Sequence, residues 1–424
     1  MEVKKLKECC TIIAGQSPES KYYNSNGDGL PFFQGKADFG ELYPSIRVYC
    51  SQPTKIAEKD DILLSVRAPV GPTNLAPCKV CIGRGLTAIR PSEVLLTRYV
   101  LLFFRYFEAQ LASKGTGTTF KAITQDVVKN LEIPIPPLPE QERIVARIED
   151  LFSQLDAGVE TLKKTKALLA VYRQAVLKEA FEGRLSAEWR KVHSDCSPAR
   201  DYESIAIKDP VYKDTSGDEN EIRLTLPDNW IRLRMGDVFS VEVGATPSRR
   251  APEYWNGTIN WVSSGEVRFN RIFSTDERIT EDGLANSSTN VQPVGTIMLA
   301  MIGEGKTRGQ AAILEIPAAH NQNTAAILVS ATPCDSKYIY YFLQMNYENT
   351  RRVGSGNNQK ALNKERVRAL RFPFTSFAEQ RVIVEEIESR MSVCDSIEQT
   401  VDAALQQAEA MRQSILKDAF EGRL

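Results

Sequence analysis

One short segment has the residue types of a phosphate-binding loop. Residues 300–307 (AMIGEGKT) fit the pattern [AG]-x4-G-K-[ST], in which backbone amides and a lysine hold nucleotide phosphates. Such a loop must open a helix, because the helix N-terminus favours the phosphate charge. Residues 308–314 are instead typical of a strand. We therefore predict a turn between two strands, with Lys306 and Arg308 placed to meet a phosphate.

Signatures of catalysis or metal binding are absent from the sequence. It has no G-x-S-x-G, no H-E-x-x-H and no Asx-Pro-Pro-aromatic tetrapeptide of amino-methyltransferases. The histidines are His193 and His320, and the eight cysteines include one C-x-x-C, at Cys78 and Cys81, without a second pair. Structural zinc requires four such ligands. We therefore predict a binding and assembly protein that is not an enzyme and holds no cofactor or metal.

Loops rich in basic, amide and aromatic side chains suggest binding instead. Arginine and lysine bond guanine or phosphate, and amides bond adenine. The candidates in the second half of the chain are Ser248, Arg249, Arg250, Tyr254, Ser263, Ser264, Lys306, Arg308, Asn321, Asn357, Asn358 and Lys360. Those in the first half are Gln16, Lys21, Tyr22, Tyr23, Gln34, Lys36, Arg67, Lys114 and Lys121. Each alone could be a solvated loop residue, but the set favours double-stranded DNA.

A long repeat must position these loops. Residues 138–185 and 377–424 align without a gap at an offset of 239, with 19 of 48 positions identical. Apolar residues recur in both copies at three- and four-residue spacing, which predicts two long helices with a narrow apolar seam. Gly158, Thr165 and Arg390 interrupt that seam. We predict that the two helices pair with each other.

The ends of both helices are marked in the sequence. Pro139 suits a first helical position, and Ser376 with Glu379 has the spacing of a capping box. Gly183 and Gly422 are predicted to end the helices in a left-handed conformation.

Two globular segments and a linker complete the predicted organisation. Residues 1–137 and 227–375 are predicted to be similar mixed α/β domains, because Tyr99 and Tyr338 open corresponding helices at the same offset. They carry net charges of +4 and +3, whereas residues 186–226 form an acidic linker and residues 376–424 are acidic as well. The positive excess on the globular segments favours a polyanionic partner.

Targeting signals are not evident in the chain. It contains no apolar run of about 18 residues, and its first residues lack the apolar region and cleavage site of a signal peptide. We therefore expect a cytoplasmic protein with free thiols and no membrane contact.

The arrangement resembles the specificity subunit of Type I restriction–modification enzymes. The resemblance rests on residues 136–141 (PPLPEQ), on the repeated AFEGRL at 180–185 and 419–424, and in the second half on residues 244–248 (GATPS), 261–263 and 321–322. The first half departs from the pattern, because residues 83–85 (GRG) stand where Asn-Gln is expected. Phe377 and Ala378 likewise stand where Leu-Pro is usual.

The resemblance implies an α+β fold in which two target recognition domains are separated by two long helices that pair as an antiparallel coiled coil. Each domain would read one half of a bipartite DNA site, and the helices would set the spacer. Two methyltransferase subunits would supply S-adenosylmethionine, and restriction or translocase subunits would supply ATP and magnesium. The repeated ends suggest methyltransferase docking points, unless they only cap the helices; their residues are Phe181, Arg184, Leu185, Phe420, Arg423 and Leu424.

Three alternatives remain open at this stage. The first is a specificity subunit of another multi-subunit restriction system, with different partners. The second is an enzyme whose residues 300–307 bind a nucleotide, which ATP binding by the isolated chain would support. The third is a coiled-coil adaptor without a nucleic-acid role, which a failure to bind any duplex would favour.

Overall fold

A computed structural model describes residues 2–115, 122–205, 224–303, 305–352 and 361–424. Contacts divide the chain into two compact units, of which the first comprises residues 1–165 and 400–424 and the second residues 166–399. Each unit therefore contains one globular segment and a part of each long helix. The predicted binding residues Lys121, Asn357, Asn358 and Lys360 lie outside the described residues.

The first globular segment is built from short strands and three helices. Its strands are β1 (Glu2–Lys5), β2 (Cys10–Ala14), β3 (Tyr23–Asn24), β4 (Leu30–Phe33), β5 (Tyr49–Cys50), β6 (Ile56–Ala57), β7 (Ile62–Ser65), β8 (Thr73–Leu75), β9 (Val80–Ile82), β10 (Leu86–Pro91) and β11 (Glu132–Ile135). Its helices are α1 (Leu6–Cys9), α2 (Thr97–Ser113) and α3 (Gln125–Lys129). The sheets have the orders β1-β11, β2-β10-β7-β8 and β3-β5-β4-β9-β6.

Helix α4 (Leu138–Phe181) follows, and then the short helices α5 (Ala187–Val192) and α6 (Pro198–Glu203) in the predicted linker. The strands of the second globular segment are β12 (Ile231–Arg234), β13 (Val241–Val243), β14 (Trp255–Val262), β15 (Asn270–Ile272), β16 (Glu277–Ile279), β17 (Ile297–Ala300), β18 (Ala311–Leu314), β19 (Ala319–His320), β20 (Thr324–Ile327) and β21 (Arg371–Phe374). Its helices are α7 (Met235–Val238), α8 (Glu281–Ala285), α9 (Ser336–Met345), α10 (Tyr347–Arg352) and α11 (Lys364–Ala369), and α12 (Phe377–Phe420) is the last element. The sheets have the orders β12-β21, β13-β20-β17-β18-β15 and β16-β14-β19.

The long helices begin and end where their sequences predict. Both stop at a glycine with positive φ, 71° at Gly183 and 77° at Gly422. The amide of Arg184 donates to the Glu179 carbonyl at 2.9 Å, and that of Arg423 to the Asp418 carbonyl at 2.7 Å. These bonds satisfy carbonyls that a helix end leaves unpaired, in the Schellman pattern.

The helices pair in antiparallel fashion within each unit, as predicted. In the second unit, Arg173 of α4 bonds Asp395 of α12 at 2.7 Å. In the first unit the corresponding pair, at the offset of 239, is Asp156 with Arg412. The buried seam is narrower than the sequence pattern indicates. Cys394 and Val401 are buried, but Tyr172, Ile397 and Met411 expose 40% or more of their surface because they lie at the flanks of the stripe.

A buried glutamine fastens each globular segment to the start of its helix. Gln141 accepts from the Leu96 amide at 2.9 Å and donates to the carbonyls of Val94 and Pro136, both at 2.8 Å. Gln380 makes the equivalent bonds, from the Asp335 amide at 3.1 Å and to the Thr375 carbonyl at 2.9 Å. Both side chains are fully buried, so these amides satisfy backbone groups that water does not reach.

The far end of the other helix closes the same core. In the second unit, Phe181 packs edge-on against Tyr338 and Phe342 of α9. In the first unit, Phe420 packs against Tyr99 and Phe103 of α2, the same pairs at the offset of 239. The repeated AFEGRL therefore serves the interior of each unit.

This packing corrects the predicted docking points. Phe181 has no exposed surface, and Phe420, Leu185 and Leu424 pack against the cores of their own units. Among the six candidates, only the arginines keep more than half of their side-chain surface exposed, 59% at Arg184 and 55% at Arg423.

The linker is ordered where it meets Glu379. This carboxylate is 1% exposed and accepts from Ser186 at 2.7 Å, Arg190 at 2.8 Å and Trp230 at 3.1 Å. The predicted capping box is therefore half formed. The Glu379 amide bonds the Ser376 hydroxyl at 3.3 Å, but the carboxylate is engaged with the linker and does not return to the cap.

We predict that Gln141→Ala lowers the free energy of unfolding of the first unit by about 2–4 kcal/mol, because buried backbone groups lose their partners. Gln380→Ala should do the same in the second unit. Denaturant titration of each variant measures the change, and Gln110→Ala, on the exposed face of α2, is the control with an expected change within about 0.5 kcal/mol. Equal effects of Gln141→Ala and Gln110→Ala would contradict the clamp.

We also predict that Gly158→Ala stabilises the first unit. Gly158 lies within α4, an added Cβ would meet no atom within 4 Å, and glycine in a helix interior costs about 1 kcal/mol. Gly183→Ala should destabilise the second unit, since its Cβ would lie 2.5 Å from Pro227 at a φ of 71°. Midpoints of thermal unfolding that move in the same direction for both variants would refute this account.

Candidate nucleic-acid interface

In the second unit, a loop crosses the end of two parallel strands. The loop follows β13, and its Ala245 amide donates to the His320 carbonyl at 3.0 Å. A Cβ on Gly244 would lie 1.9 Å from that carbonyl oxygen, so only glycine permits this approach. The parallel strands are β14 and β19, paired at Trp261 with Ala319. The chain therefore brings residues 245–250 beside the ends of β14 and β19.

The first unit repeats this framework with a different sequence. The Gln16 amide donates to the Ile82 carbonyl at 3.0 Å, and a Cβ on Gly15 would lie 2.2 Å from the Gly83 carbonyl oxygen. The Gly83 amide bonds the Phe33 carbonyl at 2.8 Å, as the Asn321 amide bonds that of Val262 at 3.0 Å. Gly83 therefore occupies the position of Asn321.

Aromatic rings order the basic residue of the second loop. The Arg249 guanidinium carbon lies 3.7 Å from the centre of the Trp255 ring and 5.3 Å from that of Trp261. The indole N–H of Trp255 donates to the Ser248 carbonyl at 3.2 Å, and that of Trp261 to the Ala245 carbonyl at 3.1 Å. Both rings are thereby fixed, since each is tied to the loop that carries Arg249.

Glu277 completes this group. It faces Trp261 across the β14–β16 pair, and its carboxylate accepts from both terminal nitrogens of Arg249, one of them at 2.8 Å. The hydrogen bond with Arg249 lowers the pKa of Glu277, and the same bond raises the pKa of Arg249. The pair remains accessible, with 53% of the Arg249 side chain and 38% of the Glu277 side chain exposed.

The other predicted residues of this loop cluster differ in availability. Arg250 is exposed, Tyr254, Ser263 and Ser264 are half-buried, and the Ser248 hydroxyl accepts from the Arg250 amide at 3.3 Å. Asn321 is 7% exposed, and its side-chain oxygen accepts from the Asn323 amide at 3.0 Å. Asn321 therefore shapes the loop, and Gln322, which bonds Thr246 at 2.5 Å, is the amide that the sequence reading missed.

The corresponding residues of the first unit carry a different chemistry. Lys21 is paired with Glu19 at 2.6 Å and lies 4.9 Å from the centre of the Tyr22 ring. The Tyr23 hydroxyl donates to the Pro18 carbonyl at 2.7 Å, and its ring stacks on Phe32. Gln16 and Gln34 are exposed. Arg84 follows Gly83 at the position of Gln322 and was also missed, because its neighbours match no motif.

The remaining candidates lie in other parts of their units. Arg67 follows β7 and forms a backbone bridge with Ala122, and Lys114 lies 5.4 Å from the centre of the Phe107 ring. Lys36 lines a cavity of about 310 Å³ with Arg105 and Arg412. Lys306 and Arg308 lie in the turn between β17 and β18 beside α10, and Arg308 donates to the Arg351 carbonyl at 2.8 Å. These residues do not join the loop clusters described above.

The structure also decides the phosphate-loop alternative. The segment that follows residues 300–307 forms the strand Ala311–Leu314, as predicted, and Gly309 has a φ of 84° in a turn. A helix N-terminus is therefore not presented there. Among the described residues, no group of three or more potential metal ligands comes together. Within the same residues, no helix is long and apolar enough to cross a membrane.

Comparison with known proteins defines the class. The family model for the Type I restriction modification DNA specificity domain matches residues 1–167 and 227–407, so the chain belongs to this family. The predicted fold class is confirmed. The chain is similar over its whole length to a chain solved in a study of complex assembly and conformational transition of the type I R-M system, with a TM-score of 0.71 at 16% identity and 98% of that chain covered. The HsdS subunit from Thermoanaerobacter tengcongensis has the same fold, with a TM-score of 0.56, 17% identity and 97% of that chain covered.

Relatives by sequence cover smaller parts. The specificity subunit named for the MjaX type I restriction enzyme of Methanocaldococcus jannaschii is 38% identical over 175 residues, 41% of this chain and 40% of that protein. The MjaIX specificity subunit is 24% identical over 62% of this chain and 56% of its own length. The EcoBI specificity subunit of Escherichia coli is 24% identical over 78% of this chain and 67% of its own. The chain thus spans about half the length of the first two.

The floor of the second loop cluster generates a prediction about pH. Burial lowers the pKa of His320 to about 4, and the value in the unfolded chain is about 6.5. Between these values the unfolded chain binds a proton that the folded chain does not, so the stability of the second unit falls as the pH falls from 6.5 to 4. In His320→Asn, the unfolding midpoint should depend less on pH in this window.

His193→Asn is the matched control, because His193 is exposed. Equal pH dependence in the native protein and in His320→Asn would contradict the burial argument.

Proposed function

We propose that this chain is the sequence-specific DNA-binding subunit of a Type I restriction–modification complex. Each globular segment reads one half of a bipartite site, and the paired helices set the spacing between the halves. The single observation that carries the proposal is the repeated framework: a glycine loop crosses two parallel strand ends in both units, while the side chains on it differ. Two readers of one design with different side chains suit two different half-sites.

The charges and exposed groups support a duplex as the ligand. The segments 1–137 and 227–375 carry net charges of +4 and +3, which attract a polyanion. Exposed arginine and glutamine side chains on the two loops match the bidentate geometry of guanine and adenine edges. A chain that only joined other proteins would have no use for different polar groups on a shared framework.

The partners follow from this role. The chain has no catalytic constellation of its own in the sequence, so we assign chemistry to other subunits: two methyltransferase subunits with S-adenosylmethionine, and restriction or translocase subunits with ATP and magnesium. The repeat gives two equivalent places for the methyltransferases, and Arg184 and Arg423 are the exposed candidates there. We expect the assembled complex to act in the cytoplasm.

We predict that exchange of residues 227–375 for the same segment of a relative changes one half-site and leaves the other half-site and the gap unchanged. The measurement is methyl-site mapping on genomic DNA with the chain reconstituted with its methyltransferase partner. A matched exchange of residues 1–137 should change the opposite half-site.

Three outcomes would count against the proposal. Absence of DNA-dependent methylation with the partner would leave an adaptor. Methylation without a fixed gap would remove the role of the helices. Changes in both half-sites after one exchange would refute the assignment of one half-site to each segment.

A further inference from the structure

The Arg249 group of the second unit is organised more than a phosphate contact requires. A phosphate contact needs only a cation, and Arg250, one residue further on, is an exposed arginine of that simple kind. Arg249 instead lies against the Trp255 ring and bonds Glu277 through both terminal nitrogens. The rings and the carboxylate fix the plane of the guanidinium, so its free edge has a defined direction.

One edge of Arg249 remains available in this arrangement. A guanidinium carries five N–H groups, and the end-on pair with Glu277 uses one hydrogen on each terminal nitrogen. The Nε hydrogen and the second hydrogen of the adjoining terminal nitrogen form another edge with two parallel donors. Within the described part of the chain, the Nε group donates to no protein acceptor, and 53% of the side chain is exposed. This edge has the shape that bonds O6 and N7 of guanine.

The carboxylate decides between the backbone and the base edges of DNA. Glu277 is 38% exposed, and its negative charge beside a phosphate would oppose binding. In the major groove, a carboxylate has a favourable neighbour, since the amino group of cytosine is a donor. The pair Arg249–Glu277 has no net charge, so it contributes little to sequence-independent attraction. Charge and donor geometry therefore both favour a base contact.

Resting on the proposed function, we infer that Arg249, oriented by Trp255 and Glu277, reads a guanine in the half-site bound by residues 227–375. Arg249 is the specificity residue, and Glu277 and Trp255 are positioning residues. The first unit lacks this device, because Lys21 with Glu19 and Tyr22 offers a point charge without a planar fork. The corresponding position of the other half-site is therefore not read in this way.

The test uses the full chain in complex with its methyltransferase partner and a pool of randomised duplexes from which bound molecules are sequenced. The native complex should select a guanine at one position of the half-site. Arg249→Gln should reduce the preference for that guanine by roughly 10- to 100-fold, the range for loss of one bidentate contact, with the other positions unchanged. Arg249→Lys should keep the affinity better than Arg249→Gln but lose the same preference, because it retains the charge without the fork.

Glu277→Gln should weaken the guanine preference by less, since Trp255 still holds the ring plane. Arg271→Gln is the matched control: Arg271 also pairs with a glutamate, Glu315 at 2.9 Å, on the same unit, and its loss should leave every preference intact. Because Arg249→Lys retains charge and bulk, its result remains informative if Arg249→Gln misfolds.

The inference fails if the native half-site contains no G·C pair, if neither Arg249 variant changes a base preference, or if both weaken all sequences uniformly, as a phosphate contact would. If the native complex selects no sequence at all, the proposed function fails first, and that result differs from each of these outcomes.

Discussion

The structure depends on a buried amide at the foot of each long helix. Gln141 and Gln380 are fully buried and bond the backbone of the loop that precedes α2 or α9. A helix start leaves backbone donors unpaired, and burial makes each unpaired group costly. The glutamine satisfies these groups from the helix side, so the globular segment and the helix cannot separate without exposing them. This constraint makes each unit one body and explains why the Glu-Gln pair recurs at the offset of 239.

Around this constraint, the repeat supports two copies of one interior. Tyr99 donates to the Pro134 carbonyl at 3.1 Å, and Tyr338 to that of Pro373 at 2.8 Å. The differences begin at the neighbouring glutamates. Glu140 is partly exposed and pairs with Arg143, whereas Glu379 is buried beneath the linker and holds Ser186, Arg190 and Trp230. The same residue type is a surface ion pair in one unit and an organising centre in the other, because only the second unit packs residues 186–205 against it.

The framework that carries the loops is likewise constant, while its side chains vary. Gly15 and Gly244 permit the same close approach to a carbonyl, and the same amides bond across the strand ends. On that framework stand Arg84 in one unit and Gln322 in the other, and Lys21 with Tyr22 against Arg249 with Trp255. A fold that fixes the backbone and releases the side chains suits recognition of different sequences, since specificity can change without any cost to the core.

The sequence by itself determined the repeat, the bounds of α4 and α12 and their antiparallel pairing, because apolar periodicity and helix ends are local signals that recur at one offset. It also predicted helix α2 around Tyr99 and the strand after residues 300–307, which removed the phosphate-loop reading. Tertiary structure alone decided that Phe181 is interior, that Glu379 binds the linker, that Asn321 shapes a loop and that Arg249 is held by Trp255 and Glu277. Glu277 is 28 residues away from Arg249 along the chain. Such contacts depend on which strands pair, and pairing between distant strands leaves no periodic signal in the sequence.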